Sequence, residues 1–100
     1  MVTFKRGVLF YASDANLSIV EAARRAWDTV QRNCVVTSGR DGRHKTNSKH
    51  YTDEAVDFRI WNLGGPENVE IVCDVLQDLL EEDYDVVLES DHIHVEYDPK

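Results

Sequence analysis

One hundred residues suffice for one hydrophobic core, and a chain of this length buries about two thirds of the surface it exposes when unfolded. Eleven Lys and Arg against nineteen Asp and Glu leave a net charge of −8, which argues against general affinity for nucleic acid or anionic lipid. The longest apolar runs, such as Val8 to Tyr11 and Val86 to Leu88, fall far short of the ~20 residues that span a bilayer, so a soluble chain with no membrane insertion is expected.

The first residues, Met1 to Arg6, carry two basic side chains but no apolar stretch and no small-residue cleavage site, so they do not read as a secretion signal and synthesis in the cytoplasm is expected. Gly7 to Tyr11 has the composition of a short strand. From Leu17 to Val30 the residues Leu17, Val20, Ala23, Trp27 and Val30 recur at helical spacing, which predicts an amphipathic helix. Ser18 and Glu21 form a capping-box pattern at its start. Cys34 to Thr37 is a β-branched run of strand length. Ser38 to Lys49 is polar and contains Gly39, Gly42 and Asn47, a long loop of the kind that carries function in small domains. Its basic stretch from Arg40 to Lys49 suits an acidic peptide, although a merely solvated loop is the simpler account of His44 within it.

Ala55 to Trp61 alternates, with Val56, Phe58 and Ile60 on one face and Ala55, Asp57 and Arg59 on the other. Gly64-Gly65-Pro66 breaks the chain and opens a second helix, with Pro at its first position. In that helix Val69, Val72, Cys73, Leu76, Leu79 and Leu80 make a stripe that places Cys73 in the core as a small hydrophobe. Tyr84 to Glu89 and His92 to Tyr97 read as an antiparallel hairpin turning at Ser90-Asp91. Cys34 and Cys73 lack C-x-x-C spacing, so neither a disulfide framework nor a cysteine-rich zinc site is encoded.

The ionisable residues gain interest from the strand alternation. Ile93, Val95 and Tyr97 share one face of the last strand, so His92, His94 and Glu96 share the other. Asp57 likewise points away from the helices. If both strands join one sheet, Asp57 and His94 converge on its open face, with His50 in a loop able to fold over it. Two imidazoles and a carboxylate with room for water are the donors zinc uses in hydrolytic sites, three protein ligands and one open position. A surface triad without metal is the plainer alternative on spacing alone. Asp91 has its own plain reading as a turn residue.

At these positions the sequence resembles a family. The segment Ser48-Lys-His50-Tyr-Thr-Asp-Glu-Ala55-Val-Asp57 is similar to the S-x-H-x-x-G-x-A-x-D motif of the zinc D-Ala-D-Ala carboxypeptidases, dipeptidases and L-Ala-D-Glu endopeptidases, which share a fold with the Hedgehog signalling domain. Val36-Thr37-Ser38-Gly39-Arg40 resembles the strand that ends in the family's substrate-contacting Arg, and Glu89-Ser-Asp91-His92-Ile-His94-Val95 its final ligand strand. The motifs occur in family order over about residues 34–97. Asp53 stands where the family usually has Gly, and Arg40 follows Gly39 with no residue between.

The resemblance implies one zinc peptidase-like domain over residues 1–100, of α+β class, with a small antiparallel sheet, two helices on one face and a zinc site on the other. It implies zinc held by His50, Asp57 and His94. It gives Asp91 or Glu89 as the catalytic carboxylate and Arg40 as the residue that stabilises the oxyanion or binds a substrate carboxylate. Ser48 and His92 would assist substrate binding. The expected function is hydrolysis of peptidoglycan stem peptides by a monomer, acting on the cell wall after release, as a phage lysis enzyme would. The alternative is a zinc-containing domain of the same fold with a binding or structural role.

Overall fold

The computed structural model describes residues 1–39 and 54–99. Among them the order is β1 (Val2–Phe4), α1 (Asp14–Thr29), β2 (Cys34–Ser38), β3 (Ala55–Arg59), a 3-10 turn (Trp61–Leu63), α2 (Pro66–Leu80), β4 (Tyr84–Leu88) and β5 (His92–Tyr97). The strands form one sheet in the order β1-β2-β3-β5-β4. The α+β class holds, but the sheet is mixed rather than antiparallel. Val2, Thr3 and Phe4 run parallel to Cys34, Val35 and Val36, while the other neighbours are antiparallel. A parallel pair needs a crossover to return the chain to its starting end, and α1 supplies it.

Two local expectations are corrected at the N-terminal end. Gly7 to Tyr11 is not a strand; its Val8 and Phe10 pack on the core from an irregular connection, and the strand here is Val2–Phe4. Helix α1 starts at Asp14, not Leu17, because Ser13 is its cap: the Ser13 hydroxyl accepts the Asn16 N–H at 3.1 Å. The buried Asn16 amide donates to the Tyr11 carbonyl at 3.0 Å, which ties the connection to the helix start. Ser18 lies one turn inside. At the other helix, Gly64 (φ 87°) and Gly65 (φ 132°) take backbone conformations that disfavour side chains, and Pro66 then opens α2 as its sequence indicates.

Both helices cover one face of the sheet. Ile19, Ala23 and Trp27 of α1 and Val72 and Leu76 of α2 meet Val36, Val56, Phe58, Ile93 and Val95, all fully buried. Each large aliphatic or aromatic side chain so buried contributes about 1.5–3 kcal/mol. Cys34 is part of this core, and burial pushes its thiol up to about 12. Cys73 is only half-buried, at the edge of the stripe rather than inside it, and burial raises its thiol too, so neither cysteine is a ready nucleophile. Among the described residues, no helix is long and apolar enough to cross a membrane.

Candidate active site

With the even positions of β3 and the odd positions of β5 committed to the core, Asp57, Arg59, His92, His94 and Glu96 are left on the opposite face. The register sets Asp57 opposite His94 and Arg59 opposite His92. Asp57 is 8% exposed. A carboxylate buried to that degree needs charged or hydrogen-bonding partners, and it has them. Its Oδ1 lies 2.9 Å from His94 Nδ1, and its Oδ2 lies 3.7 Å from His92 Nε2. The chain of contacts extends on both sides: His92 Nδ1 lies 2.6 Å from Asp91 Oδ1, and His94 Nε2 lies 2.8 Å from Glu96 Oε1. Five residues therefore alternate carboxylate and imidazole across two strands and the hairpin turn.

His94 has a carboxylate against each ring nitrogen. Ionised carboxylates only accept, so this arrangement favours the protonated ring, in which both nitrogens can donate. Burial pulls its pKa down, but the hydrogen bonds and charges of Asp57 and Glu96 outweigh burial and hold it above the ordinary value. A folded-state pKa raised in this way stabilises the fold fully below the unfolded value of about 6.5, and the contribution is lost as pH rises through the folded pKa. In chelator, the stability advantage of the wild type over His94→Gln is expected to shrink steadily as pH is raised from 6 through that range, followed by urea unfolding. A pH-independent difference would show that the ring does not titrate with folding.

The same contacts bear on whether the pair suits zinc. Tetrahedral zinc holds nitrogen and oxygen donors about 3.4 Å from one another, so the 2.9 Å contact between Asp57 and His94 has to open by only about 0.5 Å. Glu96 would keep the proton on Nε2 and leave the Nδ1 lone pair for the metal, the carboxylate–histidine support common to zinc sites. The donor set fits. His50, the third expected ligand, lies outside the described residues, as do Arg40 and Ser48. Among the described residues, the trio whose ligand atoms lie within 4.8 Å of one another is instead Asp85, Glu96 and Asp98, an acidic group further along the same face.

Beside Asp57 the sheet opens into a cleft of about 320 Å³, lined by Lys5, Asp57, Arg59, Trp61, Asp91 and His92. Asp91 is on its rim, with its side chain 84% exposed and anchored through His92. Glu89 does not line this cleft. It lines a larger apolar groove on the helix side, with Pro66, Val69, Val86 and Leu88. Trp61, an ambiguous strand-end residue in the sequence, is exposed and borders both spaces. Arg59 and Lys5 were not among the expected site residues. Strand alternation does set Arg59 on the Asp57 face but gives it no role; Lys5 follows a strand that the sequence does not announce.

Gly39 directly follows β2. A Cβ there would collide with the Leu9 backbone carbonyl, so only glycine lets β2 pass this close to the 7–11 connection. In comparison with known proteins, no family model matches the chain and no curated protein matches it either.

Proposed function

We propose that this chain is a zinc-dependent peptidase acting on peptidoglycan stem peptides, in the manner of the D-Ala-D-Ala and L-Ala-D-Glu peptidases it resembles. The observation that carries the reading is the opposition of Asp57 and His94 across β3 and β5, 2.9 Å apart on the uncovered face, beside a cleft that Asp91 rims. His50, Asp57 and His94 would hold the metal. When bound, zinc supplies the Lewis acidity that makes water a competent nucleophile near neutral pH.

The side chains do the rest. The Asp91 carboxylate, three residues before His94, accepts the proton of the attacking water and delivers it to the departing amine. His92 keeps Asp91 turned toward the cleft through their 2.6 Å contact. Glu96 fixes the His94 ring at 2.8 Å, and Arg40 is the cation for the oxyanion. Of the two carboxylates the sequence left open, Asp91 is the better base because it shares the cleft with Asp57 and Glu89 does not.

Metal analysis of the purified chain, together with cleavage of stem peptides, tests this reading. About one zinc per chain is expected, with hydrolysis that stops on chelation and returns with zinc, and His94→Ala should lose both metal and activity. Zinc without cleavage would favour the alternative, a binding or structural domain of the same fold. Absence of zinc, with unchanged stability in chelator, would sink both.

A further inference from the structure

Two cations on the open face take no part in the carboxylate–imidazole chain. Arg59 emerges beside Asp57, and its guanidinium lies over the Trp61 ring, 4.6 Å from the centroid. Lys5 reaches the same cleft from β1, just beyond which its backbone N–H bonds the Val36 carbonyl at 2.8 Å. Among the described residues, neither side chain has a carboxylate within ion-pair distance. The acids of the cleft are engaged elsewhere, Asp57 with His92 and His94, and Asp91 with His92. Both cations therefore face the cleft without a direct ion pair, although two carboxylates share its walls.

We infer that Lys5 and Arg59 form a carboxylate-binding subsite, which holds an anionic group of the substrate one or two residues beyond the bond cleaved at Asp57 and His94. The inference rests on the peptidase reading for what the site cuts, but not for the binding itself. Arg59 offers a planar fork that matches a carboxylate, and stacking on Trp61 holds that fork in place before the ligand arrives, so less freedom is lost on binding. Lys5 adds a point charge from the β1 end of the cleft. Two positions along a strand span about 6.6 Å, and an extended peptide advances about 3.3–3.6 Å per residue, so the subsite lies within one or two residues of the metal pair. The cleft volume of about 320 Å³ is at the small end of ligand pockets, which suits a short peptide end. A monoanion is the better match than a phosphate, because Asp57 and Asp91 also line the walls and would repel a dianion.

The carboxylate has two sources, a terminal α-carboxylate or an acidic side chain, and binding in chelator separates them. The probes are an acetylated D-Ala-D-Ala dipeptide, its C-terminal amide, and an amidated dipeptide with a glutamate in the last position, each titrated while the Trp61 indole signal is followed by NMR. The free acid is expected to bind about tenfold or more tightly than its amide, the scale of one charged hydrogen-bonding contact. Arg59→Gln should bring the acid down to the affinity of the amide while thermal midpoint and zinc content stay unchanged, and Arg59→Lys should recover part of the difference. Tight binding of the glutamate amide assigns the side chain as source; its failure assigns the terminus. Equal binding of acid and amide, or an unaltered preference in the Lys5→Gln, Arg59→Gln double variant, overturns the subsite. Because no metal is present in the titration, loss of the peptidase reading would appear as absent zinc or absent cleavage, not as a change in these affinities.

Discussion

Asp91→Asn is expected to slow hydrolysis of a stem peptide by about 10²–10⁴ at neutral pH, the range a positioned general base supplies. The substitution keeps the shape and removes the proton-accepting charge. Since the side chain is 84% exposed at a hairpin turn, unfolding free energy should move by no more than about 0.5 kcal/mol. Zinc content should not move either, because Asp91 touches His92 and not the proposed ligand His94. Glu89→Gln is the matching control. It faces the groove beside α2, and its rate should stay within about twofold of wild type, as for a surface change outside the machinery. The opposite ranking, a large loss at Glu89 and none at Asp91, would transfer the base to Glu89.

Phe58→Ala should cost about 3–5 kcal/mol of stability, read from urea unfolding, the usual range for removing a buried aromatic side chain. Phe58 is fully buried and its ring lies 5.2 Å from that of Trp27, so its removal empties the junction between α1 and the centre of the sheet. Against a total of about 5–15 kcal/mol for a domain, that is a large share. The thermal midpoint should fall by about 12 °C or more. Phe58 also pins β3 face-down next to Asp57, so looseness here would reach the proposed ligands Asp57 and His94, and on the peptidase reading zinc affinity should fall in the same variant. A loss below about 1 kcal/mol would mean that Trp27 and its neighbours refill the space, contrary to close packing.

Particular residues explain how much of this was legible in sequence. Helix α2 was, because Val69, Val72, Leu76 and Leu80 repeat without interruption between a Gly-Gly-Pro start and an acidic end. The start of α1 was not: its first turn, Asp14-Ala15-Asn16, is polar, and Asn16 is buried for its hydrogen bond to Tyr11, which no hydrophobic count registers. Strand β1 was missed since three residues carry no usable alternation and their partner lies beyond a whole helix. Strand direction is equally silent in a side-chain pattern, hence the mixed sheet. The opposition of Asp57 and His94 was legible in kind, since a period of two fixes the face, but only the register makes them cross-strand partners. Arg59 obeyed the same period. Lys5 depended on β1 and had no signal of its own.

The partnership between Asp57 and His94 joins residues 37 apart in sequence, with α2 and β4 in the interval. No single element carries both residues, so the pair comes into being only when β5 docks on β3, which requires closing the long intervening stretch of chain. The chemistry and the slowest kind of contact in the fold are therefore the same event. A nascent chain whose β5 has not yet joined the sheet has its helices available but no site, and an ion that bridges the two strands would act as a clasp, retarding unfolding from the centre of the sheet outward.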